Sequence, residues 1–412
     1  MSADTRTLRA RAADERGAVI IQFGVAILVL TAFAMFIIDY GLLWVSRHQA
    51  QNSADAGALA GATSLALDDF NDRTATGPAK LAAQSFASIN YVWDSHPDVQ
   101  IDADVRFYPD APAAFPAECA GNDCIRVDVH RTQARGNPLP MFLGYLVGLT
   151  NQGVRAMAIA QAASANASDC MKPWAIADKW EEHNPKVAPW DPDQDYDPSG
   201  ATPDVYVRPA VDRSSMGTSF TVTGPNNDYG RKLLLKAGNP KDAINPGWFQ
   251  AVDLSCPGGG GAGGNCYRQN IGGCSQKIWK IGDMVPKENG NMVGPTRQGV
   301  DDLIDLDPKA TWNPLTKKVE GSCAEDNSCK VKGLTQSPRI VPVPVFDLDL
   351  YMKTGGPGNG DVLIVNILGF FVDKMQGNDV EGYLMTMPDL LVSNGGGVAQ
   401  NGSFIKAIRL VR

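Results

Sequence analysis

Residues 17–62 read GAVIIQFGVAILVLTAFAMFIIDYGLLWVSRHQAQNSADAGALAGA, and they decide how the rest of the chain is read. From Ala18 to Ile38 the run is nearly all apolar, with Gln22 its main polar interruption. As a helix it covers roughly 30 Å, the hydrocarbon thickness of a bilayer. An Ala/Gly-rich helical pattern follows at once. A cleaved signal peptide would have a shorter apolar core and a small-x-small site directly after it. Here Asp39, Tyr40, Leu42, Leu43 and Trp44 occupy that place. The reading is a single transmembrane helix over 18–40.

Charge gives the orientation. Arg6, Arg9, Arg11 and Arg16 precede the run, whereas Arg47 is the only nearby cation beyond it. The positive-inside rule places a cytoplasmic tail at 1–17 and everything after Tyr40 outside. Asp39 sits at the outer end of the span. A carboxylate there either rests among headgroups or contacts a partner protein.

The 412 residues allow an anchor and about two domains. The net charge of −8 is spread along the chain, which argues against nucleic acid, since phosphate neutralisation needs clustered Lys and Arg. The eight cysteines, at 119, 124, 170, 256, 266, 274, 323 and 329, all fall on the outer side. An even number in an oxidising compartment reads as disulfides. Cys119 with Cys124 and Cys323 with Cys329 would each close a short polar loop. Cys256, Cys266 and Cys274 share a Gly-rich segment, and Cys170 would take one of them. Zinc fits poorly, because no CxxC occurs and the four histidines are scattered.

Beyond the span, Ala50, Ala54, Ala58 and Ala62 recur every four residues, with Gly57 and Gly61 forming a GxxxG beside them. Small residues at this spacing make a packing face for another helix or a sheet. The same face would let a second copy pack against it. An amphipathic helix is expected over 79–93, with Leu81, Ser85, Phe86, Ile89 and Trp93 on one side. Period-2 alternation from Val99 to Tyr108 predicts a strand, with Ile125, Val127 and Val129 in its partner. A Pro-bounded apolar helix (Met141 to Leu149) and a third strand through Val154, Ala156 and Ala158 complete an α+β domain at 41–165. The linker SANASD ends it.

Residues 166–412 are rich in Trp, Pro, Asp and Gly and read as a β-rich, disulfide-stapled ectodomain. Strands are expected at Val205–Val207, Ser219–Thr223, Lys232–Leu235, Lys277–Ile281, Ile340–Phe346, Val362–Phe371, Tyr383–Thr386 and Ile405–Val411. A helix is expected from Thr296 to Leu306. Pro342 and Pro344 cannot donate ladder bonds, so IVPVPVF is expected at a sheet edge or extended on the surface.

The stretch ERGAVIIQFGVAILVLTAFAMFIIDYGLLWVSRHQAQNSADAGALAGA resembles the N-terminal segment of TadE/TadG-like Flp pilus-assembly proteins. The resemblance rests on Arg16–Gly17, one membrane helix, Asp39–Gly41 and the Gln-x-x-Ala-Asp-Ala-x-Ala-Leu-Ala-Gly-Ala run at Gln51–Ala62. IRVDVHRTQ and MFLGYLVGLTNQGVRAMAIAQA look like that family's small sheet. NPGWFQAVDLSCPGGGG and NMVGPTRQGVDDL are similar to the ectodomains of TadG-related proteins. The resemblance implies an inner-membrane structural or assembly component of a tight-adherence pilus, pseudopilin-like in fold, working with other Tad/Flp proteins and not an enzyme. Two family features are missing. Gln22 stands where pseudopilins carry Glu five residues after the processing Gly, and no Asp-x-Ser-x-Ser of a von Willebrand A domain occurs.

Other chemistry is sparse. In WDPDQDYDP, Asp191, Asp193, Asp195 and Asp197 alternate as hard-cation ligands do, which leaves two readings, a calcium site and a solvated acidic turn. Tyr196 replaces the EF-hand Gly and Thr202 the closing Glu. The G-x-G-x-x-G at Gly258, Gly260 and Gly263 follows no βαβ unit and lies between cysteines, so it reads as a loop. No G-x-S-x-G, HExxH or Walker lysine occurs. The alternative function, a membrane-tethered periplasmic hydrolase or ligand-binding domain, therefore has no motif behind it.

Overall fold

In the computed structural model the described residues are 5–67, 72–119, 123–144, 148–183, 190, 194–238, 243–257, 263–275, 277–290, 292–354 and 361–411, with side chains from Val19 onward, Pro109 excepted. The chain mixes helix and sheet in two compact units. One is built from Met1–Ala58, Ala83–Arg106 and Arg126–Ile159, the other from Leu59–Ala82, Phe107–Ile125 and Ala160–Arg412.

Helix α1 runs unbroken from Thr5 to Leu67, 63 residues or roughly 95 Å. No proline precedes Pro78, and Pro78 itself opens α2 (Pro78–Ile89), where a missing N–H costs nothing. The buried face of α2 is Ala79, Ala83 and Ala87, while Leu81, Phe86, Ile89 and Trp93 are exposed. Burial thus falls on the alanine face and not on the large apolar one. The reason lies on α1: a Cβ added at Gly57 would stand 2.6 Å from the Ala87 Cβ and 2.7 Å from the Ala83 carbonyl. Only alanines fit at that distance.

The strands β1 (Val105–Phe107), β2 (Cys124–Arg131) and β5 (Val154–Ser164) lie side by side in that order, and β3 (Leu139–Pro140) pairs antiparallel with β4 (Asn151–Gln152). The strand expected from Val99 shrinks to β1. Asp104 explains the loss: its carboxylate takes the Gln100 N–H at 2.8 Å, and its own N–H returns to the Gln100 carbonyl at 2.8 Å. Such local bonds compete with a ladder. Of the helix expected over Met141 to Leu149, Met141 to Gly144, Gly148 and Leu149 are not α-helical, and the Leu149 N–H donates to the Gly144 carbonyl; Tyr145 to Val147 lie outside the described residues.

The second unit is organised by a closed barrel. Its strands follow the cycle Trp174–Ala177, Trp248–Ala251, Lys232–Ala237, Asp379–Met385, Val362–Gln376, Ile340–Phe346 and back to Trp174–Ala177. Two of these pairings are parallel and four antiparallel. Closure removes the free edges that an open sheet must protect. Trp174, Phe249, Phe346, Phe370 and Phe371 belong to one continuous buried cluster. Gly377, at φ 66°, makes the tight turn joining the two long antiparallel strands, a conformation that side chains resist.

IVPVPVF is not an edge. All seven residues of Ile340–Phe346 are buried, and the strand has a partner on each side. The prolines fall where an N–H would point toward Trp174–Ala177, and pairing on that side begins only at Val345. There Pro342 serves as an acceptor for the Lys172 N–H at 2.8 Å. Two other expected strands do not form. Val205 makes only an isolated bridge to Glu181. Thr221 is diverted to Asp228, whose carboxylate accepts the Thr221 N–H at 3.0 Å.

Candidate functional site

The site of interest is the segment of α1 that leaves the folded part and the loop gripping it there. From Val19 to Ile38 the large apolar side chains are exposed, Ile20 by 73% and Leu30 by 69%. The helix is long and apolar enough to cross a membrane, with a mean hydropathy of 2.5 over its best window and none of that window buried. Tyr40 and Trp44 stay exposed just beyond it.

Asp39 ends the apolar run and is only 5% exposed. A buried carboxylate is costly unless its lone pairs are filled. Oδ1 accepts the Phe142 N–H at 2.8 Å, and Oδ2 accepts those of Gly144 at 2.7 Å and Leu143 at 3.3 Å. Three successive backbone donors make a concavity suited to an anion. The Asp39 carbonyl in turn accepts the Gln152 side-chain amide at 3.3 Å. Asp39 therefore makes a contact within its own unit, at the end of the apolar run.

The gripping loop is itself held from behind. Arg131 is 3% exposed and donates to the carbonyls of Val92, Ser95, Asn137 and Pro138, the shortest at 2.6 Å. This fixes the chain entering β3, and Met141 follows directly. Arg135 bridges Asp98 at 2.8 Å and Asp104 at 2.7 Å. His130 lies 3.3 Å from Asp104, and burial lowers its pKa despite that carboxylate.

Of the ladder, Ala50, Ala54, Ala58 and Ala62 are fully buried, and Gly57 and Gly61 are buried too. Gly57 packs on α2, as described above. In this structure the small-residue face is thus covered by the chain's own residues. Gln51 donates to Asp55 Oδ1 at 2.8 Å and to the Met157 carbonyl of β5 at 3.0 Å. Gln49 accepts the Trp93 N–H at 2.6 Å.

The cysteines form four bonds: Cys119–Cys124, Cys170–Cys274, Cys256–Cys266 and Cys323–Cys329. Asp191 and Asp193 lie outside the described residues. Asp195 and Asp197 are exposed, and Asp197 Oδ1 accepts the Ser199 N–H at 3.1 Å, an ordinary turn. Among the described residues no three His, Cys, Asp or Glu side chains converge as metal ligands. Gly258 and Gly260 also lie outside the described residues, and Gly263 precedes the helix Gly264–Gly272.

Sequence reading missed residues 142–144 as the partner of Asp39. The backbone supplies the donors, so no side chain announces them. The available signal was an uncharged stretch, MFLGYLVGL, on a part of the chain otherwise rich in charge.

No curated protein and no solved structure matches the chain. Residues 17–64 match the family described as putative Flp pilus-assembly TadE/G-like; the matched segment contains the apolar run, Asp39 and the whole small-residue face.

Proposed function

We propose that this protein is a membrane-anchored, non-catalytic structural or assembly component of a Flp/Tad-type pilus system. The observation carrying the proposal is a coincidence in sequence: the pilus-assembly match at 17–64 contains the helix stretch that is both apolar and exposed. In this reading the arginine-rich tail is cytoplasmic and the barrel unit is an ectodomain on the periplasmic side, of the TadG-related kind. Other Tad/Flp proteins are its partners. Gln22 lacks the carboxylate that a pseudopilin offers to a neighbouring N-terminal amine, so the chain acts as an anchor and does not enter the filament.

The test is genetic. Deleting the gene should abolish surface pili while pilin protein stays present, and the full chain should restore them. Normal piliation in the deletion strain would reject the role.

A further inference from the structure

The loop that Asp39 grips carries two large apolar side chains that are about half exposed. Phe142 is 50% exposed and Leu149 56% exposed. They lie low on the anchor. Met141, Gly144 and Leu149 face Ala32, Met35 and Phe36 across an apolar groove of about 340 Å³. Ala32, Met35 and Phe36 belong to the last two turns of the apolar run. The loop therefore stands beside the helix at a depth where the helix itself is read as crossing lipid.

The surroundings agree. Tyr40 (53% exposed) and Trp44 (57% exposed) follow on the helix, and Trp93 stacks edge-on against Phe142 at 6.2 Å. Aromatic side chains collect at the headgroup level of membranes. Asp39 meets three backbone donors and is itself buried, which lowers the cost of holding a carboxylate at that depth. The groove and the exposed side chains continue the apolar surface of the span. A soluble partner would have to cover both.

We propose that Met141, Phe142 and Leu149 are immersed in the interfacial layer of the bilayer beside the emerging helix, giving the protein a second membrane contact besides its span. The contact would hold the first unit at the membrane surface. This rests on the reading of α1 as a membrane anchor.

The test uses the full chain in phospholipid nanodiscs, with a trifluoromethyl-phenylalanine at one position at a time: Leu149, Phe33 in the span, or Leu315, which is 94% exposed. Fluorine NMR lines are compared with a lipid spin-labelled near its headgroup end and with a water-soluble gadolinium chelate. Position 149 should be broadened by the lipid label and spared by gadolinium, whereas 315 should behave oppositely. If position 33 is broadened by the lipid label but 149 by gadolinium alone, the second contact is refuted and the anchor stands. If 149 is spared by both agents, protein covers it, and the proposal also fails. If position 33 itself responds to gadolinium, the anchor reading fails first.

Discussion

Asp39 Oδ2 and the backbone N–H of Gly144 lie 2.7 Å apart across 105 residues of sequence. With the bonds to Phe142 and Leu143, this joins the end of the apolar run to the folded unit. Replacing Asp39 by Ala leaves the buried Gly144 N–H unpaired, at about 1–3 kcal/mol, and removes the partner of the part-buried Phe142 and Leu143 N–H groups. Asp39→Asn keeps one oxygen but turns an NH₂ toward the other donors, so it should lose most of the same stabilisation. Hydrogen exchange at residues 142–144 should accelerate in both variants. Exchange at the parental rate would show that the carboxylate does not hold the loop.

A second prediction concerns the contact between α1 and α2. Even Gly57→Ala places a Cβ 2.6 Å from that of Ala87 and should cost ~1–3 kcal/mol by overpacking. Adding Ala87→Gly should recover part of this. Thermal unfolding of the three proteins in detergent decides it. A Gly57→Ala variant as stable as the parent would contradict the close approach.

The cysteine bonds should differ in worth. Cys170–Cys274 spans 104 residues and Cys323–Cys329 only 6. On the chain-entropy account their removal should cost about 4–5 and about 2 kcal/mol respectively. Paired Cys→Ala variants, compared by denaturant midpoint, test the order. An equal loss from the two would overturn it.

Asp178 supplies a pH prediction. It is fully buried after the barrel strand Trp174–Ala177, and burial pushes its pKa up to about 7, against the Ser219 and Tyr206 hydroxyls that donate to it. A value raised above the ordinary carboxylate range favours the protonated form in the fold. That contribution is complete below about pH 4 and is lost as pH rises through about 7. Asp178→Asn should therefore gain on the parent between those values, by on the order of 4 kcal/mol at most. Parallel stability curves for the two proteins across that window would refute the assignment.

How much of this could be read beforehand varied with the range of the interactions. The long apolar helix was legible because the run from Ala18 to Ile38 carries no helix breaker and almost no polar residue. The strand Ile340–Phe346 was legible in extent but not in place. Its prolines argue for an edge when only one strand is considered, whereas barrel closure provides a side where an acceptor suffices. The face of α2 misled for a related reason. Amphipathicity reports which side chains prefer burial, but Gly57 decides that only Ala83 and Ala87 come close enough to pack. Asp39 could be singled out as a carboxylate at a membrane boundary, yet its partners are backbone groups more than 100 positions away. No local pattern encodes that distance.

The central claim is that the chain is a permanent membrane anchor of a pilus system and not a filament subunit. The most direct measurement is the intact mass and location of the protein after shearing pili from cells and extracting the membranes with alkaline carbonate. The account predicts the uncut chain, with residues 1–17 still attached, in the carbonate-resistant membrane fraction. Recovery in the sheared pili as a form cut after Gly17, or release by carbonate, would contradict it.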